Sequence, residues 1–154
     1  MTRCRHGLLV LTVLVAGCGG HAAAPTKPRP RSADVSVIRA WGVYMQQGET
    51  KRASALFAIP AVVANNTPEL PLRTREEVEY FNSSLPCGGR LVATRLSRGS
   101  IIATFELTHR PGGECGAGTG HLARAAFTLR DGKIVRWIRV PNPAPAEEPD
   151  GELV

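Results

Sequence analysis

The side chains best suited to metal chemistry lie around a glycine-rich stretch, residues 111–120. Cys115 lies inside it, and His109 and His121 flank it. Imidazole nitrogens and a thiolate are ligands that zinc accepts, so these three residues could bind a metal ion. Such a site would need an unpaired thiolate and a fourth ligand, and the spacing matches no recognised zinc motif. We therefore predict no metal and no cofactor, and we expect both histidines to be polar residues at strand ends.

Glu106 is the candidate carboxylate for acid–base chemistry. It belongs to a segment in which apolar and polar residues alternate, with Ile101, Ala103 and Phe105 apolar and Thr104 and Glu106 polar. A period of two residues is typical of a half-buried β-strand. Because Glu106 falls on the polar face, we expect it to point to solvent.

The first 17 residues indicate export. Arg3 and Arg5 precede an apolar run, residues 8–16, which is too short to span a bilayer as an ordinary transmembrane helix. The run ends in Leu14-Val15-Ala16-Gly17-Cys18, which resembles the lipobox of bacterial lipoproteins. The resemblance implies a diacylglycerol anchor on Cys18, with fatty acyl chains such as palmitate, on the extracytoplasmic side of the cell membrane. The alternative is an ordinary signal peptide with a chance cysteine.

The charge pattern argues for a membrane surface rather than nucleic acid as the partner. The formal net charge is +6, and loss of Arg3 and Arg5 with the signal peptide would leave +4. The arginines are scattered and do not interleave with aromatic residues, so we predict no nucleic-acid binding. Residues 18–33 are rich in proline and cations, which predicts a solvated tether close to anionic lipid. Residues 143–154 predict a disordered tail, which leaves 34–142 as the folded domain.

Two cysteines remain for the mature domain, Cys87 and Cys115, once Cys4 leaves with the signal peptide and Cys18 is lipidated. Outside the reducing cytoplasm, a disulfide is the natural outcome. We predict that it connects the end of the third helix to the glycine-rich loop.

Four strands are predicted in the second half of the chain, over residues 90–98, 100–110, 121–130 and 133–140. Asp131-Gly132 joins the last two, and it is a strong hairpin signal because both residues tolerate positive φ. Three helices precede the strands. The first begins near Asp34 as its cap, the second runs from Thr50 through Phe57 and ends at Pro60, and the third opens at a capping box from Thr74 to Glu77. Residues 61–64 predict a short strand between the second and third helices.

The predicted order of elements is helix, helix, short strand, helix and four-stranded meander. This order resembles that of the nuclear-transport-factor-2-like superfamily, which includes SnoaL-like cyclases and ketosteroid isomerases. The resemblance to its second helix and first strand lies in Gly48-Glu49-Thr50 and in Ala55-Leu56-Phe57-Ala58 followed by Ala61-Val62-Val63. The resemblance to its final hairpin lies in residues 127–137. The resemblance implies an α+β fold with a curved antiparallel sheet covered by three N-terminal helices. It also implies a cone-shaped domain with a pocket between sheet and helices.

The resemblance places a set of aromatic and cationic side chains in that pocket: Trp41, Tyr44, Trp137, Arg139 and Arg124. Simple alternation disagrees, because a two-residue turn puts Phe127, Leu129, Ile134 and Ile138 on one face and Trp137 and Arg139 on the other. A β-bulge, or an apolar outer face used for dimerisation, would reconcile the two readings. We follow the resemblance.

We predict no catalytic residue. The basic aspartate of the isomerases falls at Asn65, their hydroxyl donor near Trp41 and their neutral acid near Ala126, while the carboxylate of limonene-epoxide-hydrolase-like members falls at Arg139. We therefore expect a non-catalytic envelope lipoprotein that binds a small apolar or anionic ligand, or another envelope protein, and that could form a homodimer. The alternative is a small SnoaL-like isomerase, cyclase or hydrolase acting on an apolar substrate.

Overall fold

The structure is a computed structural model, and it describes residues 28–143. The predicted signal peptide, the lipidation site Cys18, most of the tether and nearly all of the tail lie outside these residues. The helices are α1 Ser32–Gln46, α2 Thr50–Ala55 and α3 Arg75–Ser84; the strands are β1 Phe57–Ala64, β2 Leu70–Leu72, β3 Gly88–Ser97, β4 Ser100–Thr108, β5 Leu122–Arg130 and β6 Lys133–Val140. None of the helices among residues 28–143 is both long and apolar enough to cross a bilayer.

The six strands form one curved, open sheet in the order β2-β1-β6-β5-β4-β3. Neighbouring strands are antiparallel except β1 and β6, which are parallel, so the sheet is mixed. The three helices cover one face, where their apolar residues share a core with the sheet. This arrangement confirms the predicted α+β class.

The first helix begins three residues earlier than predicted. Arg31, not Asp34, is the cap residue, and Asp34 lies buried in the first turn. Its carboxylate accepts hydrogen bonds from Nε of Arg31 at 2.8 Å and from Nη2 at 3.0 Å. A negative charge in this turn interacts favourably with the helix dipole, so Asp34 still stabilises the helix start.

The second helix is shorter than predicted. It ends at Ala55, and the chain continues from Phe57 as β1, which includes Pro60. The register between β1 and β6 shifts between Phe57 and Val62, and Pro60 has no partner in it. Because a proline lacks a backbone N–H, this irregular stretch is where a strand can hold one without losing a ladder hydrogen bond. The short strand β2 was not predicted.

A β-bulge decides which face of the final hairpin points inward. Thr128 pairs with Arg136 and Leu129 with Ile134, so Val135 is an extra residue in β6. The bulge brings both Ile134 and Trp137 to the inner face, where they are almost fully buried. Strict alternation was therefore wrong for this hairpin, and the inward position of Trp137 and Arg139 follows from the one inserted residue.

Candidate ligand pocket

A pocket of about 220 Å³ opens between α1, the start of β3 and the inner faces of β4, β5 and β6. Its lining consists of Trp41, Met45, Asn65, Asn66, Leu85, Pro86, Cys87, Gly88, Gly89, Phe105, Leu107, Ala123, Arg124, Ala125, Trp137 and Arg139. The lining is predominantly apolar and aromatic, which is the usual composition of a small-molecule site.

Glycines let α1 lie directly against the sheet at the pocket wall. A Cβ on Gly42 would come within 2.8 Å of the carbonyl oxygen of Gly89, and one on Gly88 within 2.6 Å of Cα of Gln46. No side chain fits at either position without moving the backbone. This close approach places Trp41 edge-on to Phe105, with ring centroids 5.5 Å apart at 74°, an arrangement that aromatic rings favour.

Asn65, Asn66 and Arg139 contribute polar groups to the lining. The two asparagines follow β1 and are exposed, and Asn66 has a positive φ of 58°. Arg139 lies opposite Ala125 on the inner face and is partly buried. Burial lowers the pKa of the Arg139 guanidinium from its ordinary value, but an arginine remains charged at neutral pH. Four ion pairs occur in the described part of the chain, and none of them includes Arg139.

The two tryptophans of the pocket differ in their hydrogen bonding. Nε1 of Trp41 donates to Oδ1 of Asn82 at 2.8 Å. Nε1 of Trp137 is buried and has no acceptor among residues 28–143. A buried donor without a partner is uncommon and costs free energy, which distinguishes Trp137 from Trp41.

Of the five pocket candidates, Trp41, Trp137 and Arg139 line the pocket wall, whereas the other two lie differently. Tyr44 is not part of the lining. The Arg52 guanidinium lies 4.3 Å from its ring centroid, and Nη2 of Arg52 donates to its hydroxyl at 3.1 Å. Arg124 contributes to the rim, but it pairs with Thr104 on the outer face, and its Nη1 donates to the carbonyl oxygen of Pro141 at 3.2 Å.

Several lining residues were not predicted as site residues. Phe105 and Met45 carried a usable signal, because both belong to apolar stripes of regular elements. Residues 85–89 carried none, since they are the irregular connection 85–87 and the first two residues of β3, whose position depends on tertiary contacts. One such contact is the Cys87–Cys115 disulfide, with Cα atoms 4.5 Å apart, which was predicted and which the structure contains.

The candidate acid–base positions do not bring a carboxylate to the pocket. Asn65 lies at its edge, whereas Ala126 pairs with Ile102 and Ile138 on the outer face. The inward residues of this strand that line the pocket are Ala123 and Ala125, which cannot transfer a proton either. Glu106 forms an ion pair with Arg90 away from the pocket. Of the described residues that line the pocket, none is Asp, Glu, His, Lys or Tyr.

The alternative metal site also lacks its ligands. Cys115 is bonded to Cys87, so its thiolate is not available. His109 and His121 are exposed, and no group of three metal-ligating side chains is found within the described range.

Solved structures with similar folds were found. A candidate ketosteroid isomerase from Kribbella flavida aligns with a TM-score of 0.54 and 15% identity over 82% of this chain and 93% of its own. A candidate polyketide cyclase from Sinorhizobium meliloti aligns with a TM-score of 0.54 and 14% identity over 68% and 94% of the two chains. An NTF2-like protein of unknown function from Burkholderia xenovorans aligns with a TM-score of 0.52 and 14% identity, over 74% of this chain and 88% of its own. The chain has the NTF2-like fold. At these identities the likeness extends to the fold alone, and many functions share that fold.

No protein-family model matches the chain, and no curated protein matches it in sequence. The function of the NTF2-like domain must therefore be argued from its own pocket.

Proposed function

We propose that this protein is a lipid-anchored lipoprotein of the cell envelope whose NTF2-like domain binds a small, mainly apolar ligand without chemical turnover. The observation that carries the proposal is the composition of the pocket. Its walls offer aromatic rings, aliphatic side chains and a disulfide, and they offer no group that can exchange a proton near neutral pH.

The pocket is suited to binding for two further reasons. Its volume of about 220 Å³ exceeds the roughly 150 Å³ of an apolar cavity that holds benzene, so a ring or a short branched chain would fit. Its walls are braced by the Trp41–Phe105 contact and the disulfide at Cys87, so little ordering should be needed when a ligand enters.

Intrinsic fluorescence is a direct test of binding. The only two tryptophans of the chain, Trp41 and Trp137, both line the pocket. The chain from Gly19 to Val154 should therefore change its emission on titration with small aromatic or alicyclic compounds, and the change should saturate. Absence of saturable binding across a panel of such compounds would contradict the proposal.

The names of the neighbours suggest a second candidate function, an isomerase or cyclase. It can be separated from binding by incubating the protein with ketosteroid and polyketide-type substrates and following the product by mass spectrometry. We expect no turnover above that of a Trp137→Ala variant. Turnover by the unaltered chain that the variant lacks would establish an enzyme and overturn the non-catalytic part of the proposal.

The lipid anchor rests on the lipobox-like sequence before Cys18. Expression of the full chain in a bacterium should give a mature species that carries the mass of a diacylglycerol and sediments with membranes. Cys18→Ser should remove the lipid mass and block the associated cleavage. Equal masses and equal membrane partition for the two proteins would rule out lipidation at Cys18.

A further inference from the structure

Two arginines have their pKa lowered by burial, and their surroundings differ. Arg110 is 2% exposed, and its guanidinium donates to the carbonyl oxygens of Ser83 and Leu85. Arg139 is partly buried at the pocket, and it has neither an ion pair nor a hydrogen-bond acceptor in the part of the chain that the structure describes. Arg139 therefore keeps its donors free for a molecule in the pocket.

Trp137 adds a second free donor on the same strand. It precedes Arg139 by two residues, so the two side chains emerge on the same face of β6. Trp137 is only 4% exposed, and its Nε1–H lacks an acceptor within residues 28–143. A ligand that offers oxygen lone pairs near both residues would satisfy a buried donor and a desolvated cation at once.

We propose that the ligand is a small apolar monocarboxylate, whose carboxylate accepts hydrogen bonds from the Arg139 guanidinium and the Trp137 indole N–H. The proposal rests on the proposed binding function and gives its ligand class. The apolar body of the ligand packs against Trp41, Phe105 and Met45.

The charge of the site favours a single negative charge. The guanidinium of Arg124, the other cationic residue of the lining, donates to Pro141 and lies on the outer face. Arg139 can then match one carboxylate, whereas a dianionic phosphate monoester would leave a second charge partly desolvated. The planar guanidinium also suits the two oxygens of a carboxylate.

The test compares matched ligands on the chain from Gly19 to Val154. Calorimetry and tryptophan fluorescence would measure the dissociation constants of 2-naphthoate, its neutral analogue 2-naphthamide, and 2-naphthyl phosphate. A hydrogen bond to a charged group contributes about 1.5–3 kcal/mol, so 2-naphthoate should bind about tenfold or more tightly than the amide. The phosphate should bind more weakly than the carboxylate. Equal affinities for acid and amide would overturn the carboxylate assignment, and tighter binding of the phosphate would overturn its single-charge argument.

Substitutions locate the head group. Arg139→Gln should remove the preference for 2-naphthoate over the amide, because it should weaken the acid far more than the amide. Arg136→Gln is the matched control, because it removes the same charge from the same strand, where Arg136 pairs with Glu69 outside the pocket. An equal loss in both variants would mean that general charge, not the site, attracts the acid, and it would overturn the proposal.

Trp137→Phe keeps an aromatic ring and removes the N–H. It should weaken the binding of 2-naphthoate more than that of 2-naphthamide, and an equal effect on both ligands would exclude the indole from the head-group site.

The failures of the two proposals are distinguishable. Loss of acid preference with retained binding of the amide refutes the monocarboxylate alone, whereas no binding of any compound refutes the pocket function.

Discussion

The indole nitrogen of Trp41 donates a 2.8 Å hydrogen bond to Oδ1 of Asn82, and this bond joins α1 to α3 beside the pocket. Asn82 is fully buried, and its Nδ2 donates to the carbonyl oxygen of Val78 at 2.8 Å and to Oγ of Ser54 on α2 at 3.4 Å. One amide therefore connects all three helices. It also fixes the orientation of a tryptophan that forms part of the pocket wall.

Replacing Asn82 with Ala should lower the free energy of unfolding by about 2–4 kcal/mol, because the buried Trp41 N–H loses its acceptor and the amide leaves a void. The change in the free energy of unfolding would be measured by urea unfolding, monitored by circular dichroism. Asn65→Ala is the control, since Asn65 is exposed, and it should stay within about 0.5 kcal/mol of the unaltered chain. Equal stabilities for the two variants would show that the Trp41–Asn82 bond does not hold the helices.

The hydrogen bonds of Asn82 could not be predicted from the sequence, although the helix that contains it could. The third helix itself could be predicted, because its capping box is local: Thr74 and Glu77 bond to each other's backbone, as expected. An asparagine on a helix, however, is most often exposed, and nothing nearby in the sequence identifies its partner 41 residues away. The contact depends on how the helices pack, which only tertiary structure determines.

Arg110 should matter for stability although it takes part in none of the four ion pairs of the described residues. Its guanidinium binds the carbonyl oxygens of Ser83 and Leu85, where α3 ends and the free carbonyls need donors. Arg110→Met should lower the free energy of unfolding by about 1–3 kcal/mol, measured in urea. Arg95→Met, at an exposed position of β3, should have little effect. A stability equal to that of Arg95→Met would refute the capping role.

The Cys87–Cys115 disulfide closes a loop with a sequence separation of 28 residues. A loop of this size should contribute about 3–4 kcal/mol by restricting the unfolded chain. The double variant Cys87→Ala, Cys115→Ala should lose that amount in urea unfolding. Reductant should destabilise the unaltered chain to a similar extent and leave the double variant unchanged. A reductant effect of the same size on both proteins would mean that the disulfide is not its target.

The final hairpin shows the same division between local and tertiary information. The Asp131-Gly132 turn was predicted and both residues have positive φ, of 50° and 70°. The bulge at Val135 was considered only as a way to reconcile two readings, because one inserted residue changes the face of every residue after it without altering composition. The inward position of Trp137 and Arg139 came from the resemblance, since alternation alone predicted the opposite.

Glu76 gives a pH-dependent prediction. Its own backbone N–H, and then the Thr74 hydroxyl, lower the pKa of this carboxyl below the ordinary 4.5, at the N-terminus of α3. A depressed pKa in the folded state contributes stability above the unfolded pKa and loses it as the pH falls through the folded value. Glu76→Gln should therefore lower the melting temperature slightly at pH 7, and the difference should disappear in acid. A difference that persists in acid would exclude the charge as its cause.

Two adjacent alanines on β5 allow a test of the pocket with a matched control. Ala125 faces the pocket and Ala126 the outer side of the sheet, where it pairs with Ile102 and Ile138. Ala125→Leu adds three carbon atoms at the wall of a space of about 220 Å³, so it should block 2-naphthamide and 2-naphthoate alike. Because the added side chain can enter existing space, the protein should stay folded, with a change in unfolding free energy within about 1–2 kcal/mol. Ala126→Leu makes the same chemical change on the opposite face and should retain binding of both compounds. Calorimetry would measure the binding of both compounds to the two folded variants. Undiminished binding by Ala125→Leu would place the ligand site elsewhere on the molecule.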